Sequence, residues 1–524
     1  MCRKEYLQVT LWVLGLALVF GLYTWGISQN PRGFYLDESA TAYNAYLVSR
    51  TGAGELGPRF PILFQQYAVS TPTYVNPLAI YLLAIAFRFL PPSIPVARTF
   101  AAFWMFAACL LLGVLAKRIS GQRKIGIIVA GTVLLTPWFF EIGRLVFDAH
   151  LSAFTVVVFL LAAYRMQSKE AWNWQDIAIV ATSLAAVTYG YFSGRVLAPL
   201  FALGLLFFAT TKHRFLGVLK TWLAYGVTLV PLVLFTRSHP GALTKRLPEV
   251  SYIKPGLPWK EIASEFVRRY LEDQSLYPLL MTGDPHGRHH VQGSGGAMLF
   301  ATFILAMIGL ALIIARRGRD PWWRFVLYGL AVSILPGAIT DWPFHEVRLM
   351  GYGVFLLIIT VPALEWLLAR DEPKQSASRI SEESHTREPD RATVVSQGLS
   401  RPIRLSFLGI VLVATVVQAI DFQVTFRREG PKREYEFDVP YKAAYDTAIA
   451  QPKRPIYLEN GMWGPAYMDA FWYAAVEGRP VSEFVRLPDR AKPPRGAIVI
   501  SSNSDCQNCE VIRKSGVYLL YRAK

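Results

Sequence analysis

Charged residues are scarce in this chain. Asp, Glu, Lys and Arg make up 17% of its 524 residues, whereas globular domains carry roughly a quarter. Hydrophobic residues make up 53%, and they come in blocks of about 16–22, which is long enough to cross a hydrocarbon core of roughly 30 Å. The shortage of charge therefore excludes an ordinary water-soluble protein and predicts a chain whose solvent is largely lipid.

Cysteine is also scarce, because the chain has only four, too few for a disulfide framework. Cys506 and Cys509 form a C-x-x-C motif near the end of the sequence. For a segment outside the cytoplasm we predict a local disulfide between them, and the alternative is a redox or metal-binding pair. A structural zinc site would need two further ligands, and none is spaced nearby.

The sequence lacks any stripe of basic and aromatic residues that would predict a nucleic-acid groove. Its formal net charge is +17, but much of the Lys and Arg lies in short loops between apolar blocks. In that position basic residues orient a membrane protein by the positive-inside rule. Nucleic acid is therefore excluded as a partner, and a lipid bilayer is predicted instead.

Eleven apolar blocks predict transmembrane helices. They are Leu7–Ile27, Val96–Ala116, Ile125–Phe140, Asp148–Tyr164, Ile177–Tyr191, Val196–Thr211, Gly217–Phe235, Ala297–Ala315, Phe325–Ile339, Arg348–Leu368 and Leu405–Ile420. A further stretch, Pro77–Leu90, is shorter and carries Arg88. If this stretch does not cross the bilayer, the N-terminus and the basic loops all fall on the cytoplasmic side. We therefore predict that Pro77–Leu90 is an interfacial or re-entrant helix.

This topology divides the chain into four parts. They are a membrane module at residues 1–370 with extracytoplasmic loops at 28–74 and 236–296, a flexible cytoplasmic linker at 371–403, a last span at 404–421 and a soluble extracytoplasmic domain at 422–524. The predicted fold is thus a polytopic α-helical membrane protein with a small C-terminal α/β domain. Its predicted location is the cell membrane, the inner or plasma membrane, with a cytoplasmic N-terminus.

The C-terminal part has the pattern of short helices and strands. We predict helices at Tyr441–Ala450 and Pro465–Glu477, and strands at Pro455–Leu458, Ala497–Ser501 and Val517–Tyr521. No glycine-rich phosphate-binding fingerprint occurs in it. This favours an accessory or acceptor-positioning module over a catalytic one.

Ionisable residues gather at the predicted outer ends of the helices, a placement that indicates a functional site. The acidic ones are Asp37, Glu38 and Asp148, and the basic ones are Arg98, Arg195 and Arg348. A carboxylate can act as a general base toward an acceptor hydroxyl, and arginines can hold a departing phosphate. This combination predicts transfer from a phosphate leaving group.

Each of these residues also has a purely structural explanation. The Asp37-Glu38 pair and Asp148 could cap helices, and the arginines could anchor helix ends at the interface. A third group comprises His286, His289 and His290, which suggest metal ligands. Because no helical spacing aligns their imidazoles, we predict a flexible polar loop there and leave the metal ligands unassigned.

The order of these segments resembles the GT-C superfamily, in the branch of the protein O-mannosyltransferases and the lipid A aminoarabinose transferase. The resemblance covers roughly residues 7–370. It is carried by the segments YLDESATAYNAYLVSR, NPLAIYLLAIAFRFLPPSIPVARTF, LTPWFFEIGRLVFDAHLSAF, TYGYFSGRVLAPL and VRLMGYGVFLLIITVPAL. Where the family has Pro-Pro ahead of the interfacial helix, this chain has Asn76-Pro77.

The resemblance implies a role for most of the candidate residues. Asp37 matches the family's catalytic carboxylate, which takes the acceptor's proton, and Glu38 would support either this carboxylate or the acceptor. Asp148 matches the second acidic position, Arg98 the arginine of the first loop region and Arg348 a phosphate contact. The donor implied is a polyprenyl phosphate bearing one sugar, and the sugar is transferred with inversion of its anomeric centre. The acceptor is left open among glycan, lipid and protein, and some relatives use a divalent metal ion.

Two other functions fit a polytopic membrane protein. A transporter or flippase of lipid-linked sugars would show internal repeats and ionisable residues at the bilayer midplane. We find no convincing repeat, and the charges gather at one face. An inactive scaffold that binds partners through its C-terminal part is the other alternative.

Overall fold

The structure, a computed structural model, describes residues 3–69, 72–370, 399–488, 491–506 and 508–524. The predicted linker at 371–403 lies almost entirely outside these residues. The described chain is mainly helical, with one small sheet near its C-terminal end.

Six described helices are long and apolar enough to cross a membrane. They are Ile94–Ser120, His150–Gln167, Lys212–Ser238, Phe300–Arg317, Met350–Leu368 and Arg401–Lys432. The predicted fold class, a polytopic α-helical membrane protein with a C-terminal α/β domain, is confirmed. Each of the eleven predicted spans overlaps a helix, but several of these helices are shorter than the apolar blocks.

Prolines account for two of the shortened helices. The block Ile125–Phe140 is split into Arg123–Leu135 and Pro137–Ile142, and the block Phe325–Ile339 into Pro321–Val332 and Leu335–Ala338. Pro137 and Pro336 lie in the first turn of the second piece in each case. Proline has no backbone N–H and restricts the preceding residue, so it begins helices more readily than it continues them.

The remaining helices complete the membrane module and its loops. They are Arg3–Tyr23, Leu36–Thr51, Leu78–Phe89, Trp174–Gly190, Gly194–Gly204, Leu247–Val250 and Trp259–Glu272. A two-stranded ribbon pairs Phe64–Gln65 with Tyr74–Val75. The helix Leu78–Phe89 coincides with the segment Pro77–Leu90, whose interfacial or re-entrant placement stays a prediction. Its 12 residues span about 18 Å, short of a hydrocarbon core of roughly 30 Å.

The long helices differ in how far other helices surround them. In Met350–Leu368, 83% of the most apolar stretch is buried within the protein, whereas in Lys212–Ser238 the figure is 17%. A helix that is apolar on all sides and buried lies at the centre of a bundle, and one that exposes apolar side chains faces lipid. Met350–Leu368 is therefore a central helix and Lys212–Ser238 a peripheral one.

The C-terminal domain contains a five-stranded mixed sheet. Its strands are Ile456–Glu459, Phe484–Arg486, Ile498–Ser501, Cys509–Ser515 and Tyr518–Ala523, with the second at one edge and the fourth at the other. The helices Val439–Ile449 and Tyr467–Glu477 accompany it. Both predicted helices and all three predicted strands are present. The predicted disulfide between Cys506 and Cys509 is confirmed.

The C-terminal domain packs directly on the first loop of the membrane module. The indole of Trp472, fully buried, stacks on Phe34 with ring centroids 5.3 Å apart and lies 6.1 Å from the ring of Phe87. Helix Tyr467–Glu477 contacts helix Leu36–Thr51 along this seam. One hydrophobic cluster therefore continues from the first loop into the domain.

Candidate active site

A cavity of about 270 Å³ lies between the two long loops and the ends of the membrane helices. Four of the six candidate residues line it, namely Asp37, Asp148, Arg195 and Arg348. These residues are up to 311 positions apart in the sequence, because the first is residue 37 and the last is residue 348. Their convergence makes this cavity the candidate site.

Asp37 is held by two neighbours from the first loop. It lies in the first turn of helix Leu36–Thr51. Its Oδ1 accepts hydrogen bonds from the Tyr67 hydroxyl and, at 2.9 Å, from Nε2 of Gln66. Both of these hydrogen bonds are to Oδ1. The other oxygen, Oδ2, accepts no hydrogen bond from the described residues, so it is available to a ligand.

Glu38 and Arg98 do not line the cavity. Both side chains are fully buried, and they form a two-pronged ion pair with nitrogen–oxygen distances of 3.1 and 2.8 Å. The carboxylate of Glu38 also accepts from the backbone N–H groups of Tyr35 and Val146. Successive helical residues point about 100° apart, so Asp37 faces the cavity while its neighbour faces the protein interior. The Glu38–Arg98 pair therefore lies in the protein interior, where it has a structural role and does not face the cavity.

Asp148 lies just before helix His150–Gln167 and contributes the second carboxylate of the cavity. Burial raises its pKa to about 7, although the charge of Arg246 opposes the shift. A carboxyl group with this pKa exchanges its proton near neutral pH. Such a perturbed group in a cleft is typical of an active site.

Four arginines surround the two carboxylates. Arg195 and Arg348 were predicted from the sequence, and the structure adds Arg246 and Arg288. Nη1 of Arg246 donates to Oε1 of Gln66 at 3.3 Å. Because Gln66 also donates to Asp37, its side chain links Arg246 to Asp37 through hydrogen bonds. Burial opposes the charge of Arg246, but the nearby acidic groups, with Asp37 first among them, together outweigh burial and raise its pKa.

Two of these guanidinium groups keep buried nitrogens without a hydrogen-bond partner among the described residues, Nη1 of Arg348 and Nε of Arg288. The nearest carboxylate oxygen to the latter, in Glu436, is 3.9 Å away. Buried donors without partners are costly, and four cations exceed two carboxylates. The cavity is therefore built to receive an anion, and planar guanidinium groups suit phosphate in particular.

Three histidines line the same cavity. The ring nitrogens of His286, His289 and His345 lie within 4.8 Å of one another. The Asp284 carboxylate accepts from Nδ1 of His286 and of His289, both at 2.8 Å. A carboxylate that orients imidazoles is typical of metal sites, and Nδ1 of His345 is buried without a hydrogen-bond partner among the described residues. Three imidazoles with this geometry fit a divalent cation such as zinc.

His290 belongs to a different cluster from the one expected. Its Nδ1 lies 3.0 Å from Glu141 and 3.5 Å from Glu346, and the ring is fully buried. Burial opposes protonation, but these two carboxylates outweigh it and raise the pKa of His290 to about 9. The prediction of a flexible polar loop here is wrong, because Asp284, His290 and Val291 are all buried.

The sequence analysis missed the third histidine and two of the arginines. His345 lies 59 positions after His286, and Arg246 lies in an irregular turn after helix Lys212–Ser238. Neither has a motif around it. Arg288 is within the histidine-rich segment, and its position between His286 and His289 is the one local signal that could have identified it.

No protein-family model and no curated protein matches this sequence. Solved structures do match its fold. ArnT from Cupriavidus metallidurans in the apo state is 11% identical with a TM-score of 0.57, and the match covers 98% of each chain. The same protein bound to undecaprenyl phosphate gives a TM-score of 0.56 at 11% identity, covering 99% of this chain and 98% of that one.

A third match is the oligosaccharyltransferase of Archaeoglobus fulgidus in the apo form, with 14% identity and a TM-score of 0.53. It covers 91% of this chain and 65% of that one. Both neighbours are membrane proteins with the GT-C fold. The similarity extends over nearly the whole chain, including the C-terminal domain in the case of ArnT. The chain described here therefore has the GT-C fold.

Proposed function

We propose that this protein is a membrane glycosyltransferase that moves a single sugar from a polyprenyl-phosphate donor to an acceptor. The acceptor group is a hydroxyl or similar nucleophile, and the reaction takes place on the extracytoplasmic side. The observation that carries the proposal is one cavity that contains an oriented carboxylate, Asp37, and four arginines, among them Arg348 with an unpartnered nitrogen. Transfer from a phosphate leaving group needs a base and an anion site together.

Asp37 is the general base in this proposal. Tyr67 and Gln66 donate to its Oδ1 and fix the orientation of the carboxylate, while Oδ2 takes the proton of the acceptor hydroxyl. As that proton leaves, the acceptor oxygen forms a bond to the anomeric carbon of the sugar. The bond between this carbon and the phosphate oxygen breaks at the same time, and the lipid phosphate departs with the electron pair. Attack opposite the leaving group inverts the anomeric centre.

The arginines bind the donor's phosphate and stabilise the negative charge that grows on it. Arg348 offers its unpartnered Nη1, and Arg195, Arg246 and Arg288 line the same cavity. Preorganised donors of this kind are worth about 10²–10³ in rate when one is removed. The binding of undecaprenyl phosphate by the structurally similar ArnT supports a polyprenyl phosphate as the lipid carrier.

Asp148 is the second carboxylate of the site. Its side chain faces the same cavity as Asp37, and its pKa of about 7 lets it hold a proton that the base carboxylate has released. It also balances part of the positive charge of Arg195 and Arg246, both of which interact with it electrostatically.

His286, His289 and His345 hold a divalent metal ion in this proposal, with Asp284 orienting two of the rings. A dication held there would supply positive charge to the cavity. The residues of the chain provide the ligands, and the arginines remain free to contact the phosphate oxygens directly.

The test uses the purified full-length protein in lipid vesicles with labelled polyprenyl-phosphate monosaccharides and membranes of the native cells as acceptor. Asp37→Asn keeps the shape of the side chain but removes its basicity, and we expect transfer to fall about 10²–10⁴-fold. The matched control is Asp505→Asn, at an exposed position of the C-terminal domain, which should transfer at the wild-type rate.

Two results would contradict the proposal. One is undiminished transfer by Asp37→Asn in a correctly inserted protein. The other is movement of the labelled lipid across the vesicle membrane without any glycosidic product, which would indicate a transporter instead.

A further inference from the structure

The C-terminal domain does not line the cavity. Among the described residues, those that do so all lie between Tyr35 and Arg348, whereas the domain follows the last membrane helix. An acceptor-positioning module would contact the cavity. Among its contacts with the membrane module, three are hydrogen-bonded contacts to backbone groups that adjoin Asp37, Arg288 and Tyr67. The first two of these side chains line the cavity, and the third bonds Asp37.

The first contact is at the start of the helix that carries Asp37. The backbone N–H of Leu36 donates to Oδ2 of Asp438 at 3.0 Å. The first N–H groups of a helix have no partner within it, and Leu36 is the first residue of its helix. Asp438 also accepts a hydrogen bond from the Tyr518 hydroxyl on its other oxygen. The domain thus fixes the residue before the proposed base.

The second contact is at Ala68, directly after the Tyr67 whose hydroxyl bonds Asp37. The N–H of Ala68 donates to Oη of Tyr467 at 2.7 Å, and its carbonyl accepts from Nη1 of Arg486 at 3.0 Å. Both backbone polar groups of Ala68 are therefore held by the domain. Tyr467 in turn donates to Oε2 of Glu55 at 3.1 Å, which fixes its hydroxyl.

The third contact is at Gly287, directly before Arg288. Its carbonyl accepts from Nη1 of Arg433 at 2.8 Å. The same nitrogen reaches Oε2 of Glu141 at 3.4 Å. Arg433 lies in the segment that joins the last membrane helix to the domain. Its hydrogen bond to Gly287 therefore ties the loop bearing Arg288 to this junction.

We infer that the C-terminal domain is a clamp that sets the positions of Asp37, Tyr67 and Arg288. Its positioning residues are Asp438, Tyr467 and Arg433, each acting through the backbone of a chain neighbour of the residue it positions. The inference rests on the proposed function for its catalytic consequence. A displacement of about 1 Å at a reacting group can cost 10²-fold in rate, so loss of one hydrogen bond next to the base is enough to be measured.

The main test compares two substitutions of Asp438. Asp438→Ala removes the acceptor of the Leu36 N–H, and we expect kcat to fall about 10–100-fold with a smaller change in the KM of the donor. Asp438→Asn should restore most of kcat, because its amide oxygen can accept from Leu36 while its NH₂ group donates to Oη of Tyr518. Asp446→Ala is the control, since Asp446 is half exposed and its carboxylate pairs with Lys442 of the same domain.

A second pair of variants tests the contact at Ala68. Tyr467→Phe loses a hydroxyl that bonds Glu55 and the Ala68 N–H, and kcat should fall about 3–30-fold. Tyr521→Phe loses a similar hydroxyl, which bonds Glu459 at 3.2 Å inside the domain. We expect the wild-type kcat for this matched variant.

Hydrogen exchange supplies a readout that does not depend on activity. In Asp438→Ala the amide of Leu36 should exchange at least tenfold faster, while the amides of helix His150–Gln167 keep their wild-type rates. The clamp is overturned if folded Asp438→Ala retains both the wild-type kcat and the wild-type exchange at Leu36. If the wild-type protein transfers no sugar, the proposed function fails, and the exchange experiment still decides whether the clamp exists.

Discussion

Asp37 and Glu38 are neighbours in the sequence, yet their side chains lie in two regions that differ in how their charged groups are paired. Glu38 meets Arg98 in a fully buried pair whose hydrogen bonds are satisfied by protein groups alone. Asp37 faces a cavity in which two arginine nitrogens lack a hydrogen-bond partner within the described part of the chain. The first region is closed and leaves nothing for a ligand to bind. The second is incomplete among the described residues, and we propose that a ligand completes it.

The difference shows that an acid–arginine pair is not in itself a sign of catalysis. A buried ion pair contributes little net stability, but removal of one partner leaves an uncompensated charge. Substitution in the closed region should therefore affect folding, and substitution in the open region should affect activity. Each prediction below tests one side of this contrast.

The largest effect is expected for Glu38→Gln. The variant leaves the buried Arg98 without its counter-charge and should lose about 3–5 kcal/mol of stability. The control is Glu434→Gln, which breaks the exposed pair with Arg32 at 3.0 Å and should cost less than about 1 kcal/mol. The measurement is thermal unfolding of the detergent-solubilised proteins. Equal unfolding temperatures for the two variants would show that the buried Glu38–Arg98 pair is no more important to folding than an exposed pair.

The second prediction concerns pH and the Asp148 carboxyl group. Its pKa is raised by burial from 3.8 to about 7, so between about pH 4 and pH 7 the folded protein holds a proton that the unfolded chain has released. Stability therefore falls as pH rises through this window. Asp148→Asn cannot ionise, so this slope should disappear.

Above pH 7 the neutral amide introduced by Asp148→Asn avoids the cost of a buried charge. Because the group is partly exposed to the cavity, we expect a gain of about 2–3 kcal/mol rather than the full value of the shift. The measurement compares the unfolding temperatures of Asp148→Asn and the wild type at pH 5 and pH 8, with Asp505→Asn as the exposed control. A variant that keeps the wild-type pH slope would show that Asp148 is not the titrating group.

The third prediction separates binding from folding at Arg348. Its Nη1 has no partner among the described residues, so Arg348→Gln should leave the unfolding temperature nearly unchanged. The rate of transfer should fall about 10²-fold, because a charged donor to the leaving phosphate is lost. Arg319→Gln, at an exposed loop position, serves as the control. A large loss of stability with unchanged transfer would place Arg348 in the closed class with Arg98.

The fold was largely predictable from the sequence because hydropathy acts over whole segments. About twenty apolar residues in a row predict a helix regardless of its neighbours, and every predicted span overlaps one. The strands Phe484–Arg486 and Cys509–Ser515 were missed. Each lies at an edge of the sheet with mostly exposed side chains, so neither shows the buried apolar pattern that identifies a strand.

The candidate site was less predictable, because its assembly depends on which way each side chain points. The clustering of acidic and basic residues located Asp37, Asp148, Arg195 and Arg348. It could not separate Asp37 from Glu38, since the direction of two adjacent side chains depends on where the helix begins. It could not find Arg246 either, because a turn with no regular pattern brings it beside Asp37.

The smallest expected effect tests whether the open region also holds a metal ion. His286, His289 and His345 share one wall of the cavity with the arginines, and three neutral imidazoles bind zinc well. The purified protein should contain about one zinc ion per chain by mass spectrometry. His345→Ala should lower this content at least tenfold, since it removes the ligand that comes from a separate segment of the chain.

The exposed His213 provides the control, and His213→Ala should keep the full metal content. Transfer by His345→Ala should fall only about tenfold, because the four arginines still neutralise the phosphate. Equal metal content in the wild type and His345→Ala would exclude the histidines as ligands. The open region would then bind ligands through its carboxylates and arginines alone.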